Sequence, residues 1–120
     1  MLLAIHKKTG LVTFHGPLVF EPRPQFSVKC LKKTLFAPNK LTYTNPNTPP
    51  NLKKDIIQTQ HITQTIQPGI ATGHLVGGNL SVLVTLLGTP YEPDWNNTIL
   101  FVEETGENNY RIDRMLSQLN

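Results

Sequence analysis

Ile99-Leu100-Phe101-Val102-Glu103-Glu104 is the stretch on which the fold turns. Four apolar residues in succession, with two acids directly after them, fit a strand covered on both faces. A half-exposed strand would instead alternate apolar and polar side chains. The turn-rich Thr89-Pro90-Tyr91-Glu92-Pro93-Asp94 precedes this run. Further upstream, Asn79 is a good helix N-cap, and Leu80, Leu83, Val84 and Leu87 follow it at helical spacing. Val82 and Leu86 widen that stripe, and Gly88 closes the helix. Downstream, Ile112, Met115, Leu116 and Leu119 mark one face of another helix. A covered strand set among helices predicts an α/β architecture.

The first residues read as the end of a helix. Leu2, Leu3 and Ile5 are followed by Lys7, Lys8 and Gly10, a proper C-terminus, but no capping residue or first turn comes before them. The chain is therefore expected to open inside an element that begins upstream. Leu11-Val12-Thr13-Phe14 is a short β-prone run closed by the turn His15-Gly16-Pro17, and Glu21-Pro22-Arg23-Pro24 continues as extended chain. Ser27 is placed to cap a helix through Val28, Leu31, Leu35 and Phe36. Residues 37–51 dissolve into Asn, Thr and Pro and read as an exposed connection, while residues 55–67, polar and β-branched, read as strands on a sheet edge. Six of the ten prolines fall between Pro22 and Pro50, so the apolar residues gather at the two ends of the chain. That distribution predicts a fragment in three parts. Residues 1–35 end an N-terminal α/β domain, residues 36–62 form a Pro-rich linker, and residues 63–120 begin a C-terminal α/β domain.

Composition narrows the function classes. The net charge of +3 comes largely from Lys29, Lys32, Lys33, Lys40, Lys53 and Lys54, spread across the Pro-rich region. A nucleic-acid site would interleave such a basic stripe with aromatic side chains, and that pattern is absent, so no nucleic-acid partner is expected. The single cysteine, Cys30, cannot close an internal disulfide and suits a reducing compartment. The apolar start is too short for a signal peptide, and no run approaches the length of a bilayer span. A soluble, cytoplasmic protein without a membrane partner is the expectation.

Few residues are placed for chemistry. Gly69, Gly73, Gly77 and Gly78 lead into a helix, as anion-binding loops do, but their spacing matches neither phosphate-binding pattern. They are better read as permitting tight turns and close helix–sheet contact. His6, His15, His61 and His74 lack metal-ligand spacing, and no metal or cofactor is expected. His15 and His74 lie beside glycines and could line a cleft. No serine sits in a nucleophile elbow. Glu103 stands apart as the first polar residue after the apolar strand, where ligands gather in open α/β sheets. A carboxylate there can orient a histidine and stabilise its imidazolium. Glu104 should face the other way, because strand side chains alternate. Composition alone nevertheless favours the plainer reading, in which both acids mark the strand's exit into water.

A family likeness shifts that balance. The segments Gly69-Ile70-Ala71-Thr72-Gly73-His74-Leu75-Val76-Gly77-Gly78-Asn79-Leu80, Leu87-Gly88-Thr89-Pro90-Tyr91, Ile99–Glu104 and Tyr110-Arg111-Ile112-Asp113-Arg114-Met115-Leu116 closely resemble the LD-carboxypeptidase family. Thr9–Pro17 resembles the family segment shortly after its nucleophile, whereas residues 23–67 show no match. The resemblance implies an N-terminal α/β domain holding a catalytic serine and a C-terminal domain supplying a glutamate and a histidine. It implies hydrolysis of the amide between an L-centre and a terminal D-amino acid, with the murein tetrapeptide as the usual substrate and D-alanine as the product. The family also includes microcin C immunity proteins, which act on peptidyl or aminoacyl adenylates, and a non-catalytic remnant of the fold is a third reading. Glu103 matches the family's catalytic glutamate. The next position, usually aspartate, is Glu104 here. No cofactor and a homodimer are implied. The serine is expected just before residue 1 and the histidine well beyond residue 120. The isolated 120 residues should therefore release no D-alanine from a tetrapeptide, and measurable release in an amino-acid assay would refute this.

Overall fold

The computed structural model describes residues 2–17, 25–37, 39–43 and 64–120. Among them the elements run α1 (Leu2–Thr9), α2 (Gln25–Phe36), β1 (His74–Asn79), α3 (Leu80–Val84), β2 (Thr98–Glu103) and α4 (Asn109–Leu119). Contacts group the chain into two units, residues 1–15 with 69–120, and residues 16–68. None of the described helices is long and apolar enough to cross a membrane.

In the first unit β1 and β2 pair in parallel, from His74 opposite Thr98 to Asn79 opposite Glu103. Parallel strands cannot be joined by a tight hairpin, and the crossover here carries α3 and the loop after it. With helix and parallel strand side by side, the α/β expectation holds. β1 itself was not expected, because its glycines suggest turns. In fact Gly77 lies inside the strand, where a Cβ would stand 1.7 Å from the carbonyl oxygen of Phe101. The close approach is strand on strand, not helix on sheet, and only a residue without a side chain admits it.

Chain direction changes at Asn79. Its backbone is extended, and its side-chain oxygen accepts the amide N–H of Val82 at 3.1 Å, which caps α3 as expected. Leu80 and Leu83 then turn inward and are each 2% exposed, and with Val76 and Met115 they make the core. Each leucine contributes about 1.5–3 kcal/mol by leaving water. The helix is shorter than its apolar stripe. The Thr85 hydroxyl donates to the Val82 carbonyl at 2.7 Å, competing with the regular ladder. Beyond Val84 the amides of Leu86 and Leu87 bond only three residues back, at 3.0 and 3.3 Å, until Gly88 ends the turns at φ +70°.

β2 occupies the apolar run as expected, but it is not covered on both faces. Ile99, Leu100 and Phe101 are 38%, 44% and 43% exposed. α3 packs on β1 and on α4, and among the described residues β2 has a strand neighbour along one edge only. In α4, Met115 is buried and Ile112 and Leu119 half-buried, while Leu116, expected on the same face, is exposed. The N-terminal segment is helical through Thr9, and Gly10 closes it at φ +71° with its N–H on the His6 carbonyl at 2.8 Å. Leu11–Phe14 does not become a strand, because it finds no ladder partner among the described residues.

In the second unit α2 begins at Gln25, so Ser27 sits inside the helix and does not cap it. The Thr34 hydroxyl donates to the Cys30 carbonyl at 2.8 Å and meets the Tyr43 hydroxyl, which ties the residues after the helix back onto it. Of the connection read over residues 37–51, only 37 and 39–43 are described. Of the edge strands read over residues 55–67, residues 55–63 lie outside the described residues, and residues 64–67 are exposed and form no strand.

Gly77→Ala is expected to destabilise the protein by at least about 3 kcal/mol, the upper end of ordinary overpacking, because backbone cannot give way as a side chain can. A thermal melt of wild type against the variant checks this, and an unchanged midpoint would show that the strands can part.

Candidate functional site

The register that pairs Asn79 with Glu103 brings the carboxyl ends of both strands side by side. Ligands of open α/β sheets gather at such ends. A hollow of about 220 Å³ opens at the end of β1, lined by Leu2, Leu3, His15, Gly77, Gly78, Asn79, Val82, Leu83 and Leu86. Its walls are apolar, and His15 and Asn79 supply the polar side chains.

Glu103 stands at the rim of this arrangement with its side chain 34% exposed. It does not line the hollow itself. Its neighbours do: Asn79 is its register partner, and His15 turns Nε2 to within 3.7 Å of Glu103 Oε1. That separation exceeds an ordinary hydrogen bond, so the contact is one of orientation, and it becomes an ion pair only when the ring is protonated. The His15 ring also leans against Phe101, with centroids 6.1 Å apart and planes at 57°. Tilted packing of this kind suits aromatic rings better than a face-to-face stack.

Glu104 has a different task. Its carboxylate accepts the Ser81 N–H at 3.1 Å, the Ser81 hydroxyl, the Asn79 amide at 3.4 Å and the Thr105 N–H at 2.9 Å. The Ser81 hydroxyl, first among these donors, and then the Thr105 N–H hold its carboxyl below the usual carboxylate range. The two consecutive acids therefore diverge, as strand alternation requires: Glu103 faces His15, and Glu104 fastens the start of α3 to the end of β2. Sequence reasoning missed this second role. The signal was Ser81, three residues after Gly78 and two after the Asn79 cap.

The loop before β2 is braced in a similar way. Glu92 accepts the Trp95 indole N–H at 2.8 Å and the Gly88 N–H at 2.7 Å, and these bonds, the indole first, lower its pKa. Asp94 accepts the backbone N–H of Asn96 at 3.0 Å and its side-chain amide at 2.7 Å, and its pKa falls for that reason. Asn97 then takes a left-handed φ of 53°, a conformation asparagine tolerates, and delivers the chain into β2.

Of the residues singled out in the sequence, the structure brings Glu103 and His15 together. His74 is exposed at the opposite end of β1, and His6 donates from Nδ1 to the Leu11 carbonyl at 2.9 Å, away from the hollow's polar side chains. His61 lies outside the described residues.

Comparison with known proteins gives this arrangement a context. Residues 72–120 match the family model described as the LD-carboxypeptidase C-terminal domain. A Bacillus subtilis protein named "Probable murein peptide carboxypeptidase" is 43% identical over 120 residues, covering 97% of this chain and 34% of its own. The microcin C7 self-immunity protein MccF of Escherichia coli is 27% identical over 139 residues, covering 99% of this chain and 40% of its own. A solved structure of MccF in complex with glutamyl sulfamoyl guanosine superposes with a TM-score of 0.71 at 26% identity, covering 98% of this chain and 41% of that one. The chain thus spans between a third and two fifths of the length of these relatives.

Because its folded carboxyl lies below the ordinary range, Glu104 adds stability above that range and gives it up as pH falls through the folded value. Glu104→Gln is therefore expected to be less stable than wild type at pH 7, with the difference shrinking as the pH is lowered past about 4, near the ordinary glutamate value. Denaturant midpoints measured across that range check this, and a gap that stays constant would disprove the linkage.

Proposed function

Because the chain belongs to the LD-carboxypeptidase family, we propose that the whole protein is a serine-type carboxypeptidase. It hydrolyses the amide between an L-centre and a terminal D-amino acid, releasing D-alanine from murein tetrapeptides in cytoplasmic cell-wall recycling. The observation that carries the reading is the likeness to the Bacillus subtilis murein peptide carboxypeptidase along nearly the whole chain. It is joined by the place of Glu103 at the carboxyl end of β2, beside a histidine that lines a hollow.

In this reading Glu103 is the acid of a Ser–Glu–His triad, and the serine and histidine lie outside the 120 residues. The serine oxygen attacks the scissile carbonyl while the histidine takes its proton. The histidine then returns that proton to the departing amine of D-alanine, and water releases the acyl group by the same steps in reverse order. Glu103 neither gains nor loses a proton. It accepts the histidine's second N–H, fixes the ring's tautomer and offsets the positive charge that forms. This circuit closes with protein side chains and water, so no cofactor enters it. The partners are the peptide substrate and a second copy of the protein in a homodimer.

A second reading within the family rests on MccF, whose solved complex holds glutamyl sulfamoyl guanosine. A hydrolase of peptidyl or aminoacyl adenylates would use the same triad on a different substrate. The higher identity to the murein peptide carboxypeptidase favours the first.

In the whole protein, Glu103→Gln is expected to lower kcat for D-alanine release by about 10³–10⁴-fold with the fold intact, as loss of a triad acid does. Full turnover by this variant would sink the assignment. Turnover of an aminoacyl adenylate analogue without release of D-alanine would move the protein to the second reading.

A further inference from the structure

A triad acid must present one oxygen outward in a fixed direction, yet a glutamate side chain at a strand end has several rotamers open to it. Among the described residues, the group that stands against Glu103 is the His15 ring. We infer that His15 is a positioning residue for Glu103, holding one carboxylate oxygen so that the other stays free for a histidine. This rests on Glu103 being the triad acid.

Three features of the structure support it. The first is direction: Nε2 of His15 faces Oε1 of Glu103 at 3.7 Å, so with its proton on Nε2 the ring presents a donor to that oxygen alone. A carboxylate has lone pairs on both oxygens, and Oε2 remains available to a second donor. At 3.7 Å the pair lies just outside hydrogen-bond length, so the ring orients that oxygen without saturating it. The second is that the ring itself is placed. It leans on Phe101, two residues before Glu103 on the same strand, so the ring and the carboxylate share one rigid support. The third is the backbone on the ring's other side. Gly78 takes φ +146°, and the position a Cβ would take there lies at ordinary van der Waals distance, 3.6 Å, from His15 Nδ1, so the chain passes close beside the ring while Nε2 looks toward the acid. The ring also lines the hollow, so it can sense what occupies that space.

The test is made in the whole protein with a murein tetrapeptide, measuring kcat, KM and thermal midpoint for single and double variants. His15→Ala should lower kcat roughly 10- to 100-fold, the range seen when outer partners of site residues are removed. KM should stay close to wild type. His15→Gln, whose amide N–H can reach the same oxygen, should recover most of the loss. His15→Phe fills the space without a donor and should not recover it, which keeps the comparison decisive even if the alanine variant unfolds. Combined with Glu103→Gln, the His15 variants should cost nothing further, because residues that act through one another are not additive. A His15→Phe variant with wild-type kcat, a change confined to KM, or an independent loss on top of Glu103→Gln would each overturn the inference while leaving Glu103 as the acid. Full activity of Glu103→Gln alone would overturn both.

Discussion

The contact between the backbones of Gly77 and Phe101 sets everything else in the first unit. Where a Cβ at residue 77 would fall 1.7 Å from a carbonyl oxygen, the two strands lie together only because none is there. That contact fixes the parallel register, and the register in turn fixes which residues end side by side, Asn79 and Glu103. The cap of α3, the hollow under its first turn and the acid at the rim all follow from that one alignment. A slip of a single residue would turn each β2 side chain to the opposite face and carry Glu103 away from His15.

How far this was legible depended on whether the deciding physics was local. Helix ends were readable because their signals lie within a few residues: Asn79 caps, and Gly10 and Gly88 take the positive φ that closes a turn. The run Ile99–Val102 was readable as a strand from its length and composition alone. Its degree of covering was not, since that depends on what packs against it. β1 was hidden because two adjacent glycines locally favour a turn, and what makes them strand residues is a neighbour reached only after a whole crossover. The Leu80–Leu87 stripe overstated its helix, since the pattern records which side chains are apolar and not that the Thr85 hydroxyl draws on the Val82 carbonyl. At the site, Glu103 stood out by its place after an apolar strand, and the family likeness assigned it a role. Its meeting with His15 joins a turn near the start of the chain to a strand end near its close, and no local pattern encodes that.

The pair Glu103-Glu104 shows how one strand end can hold one acid saturated by donors beside another left open. Adjacent acids repel, and a sequence that places two together at a rim must give at least one of them compensating donors. Glu104 has four, from Ser81, Asn79 and Thr105, so its charge is absorbed into the joint between β2 and α3. Glu103 has no such set among the described residues and faces a single imidazole. A carboxylate saturated by donors has no lone pair left for a catalytic partner, whereas one with an open oxygen has. By that criterion Glu104 is unsuited to orienting a histidine, although it carries the same charge one residue away.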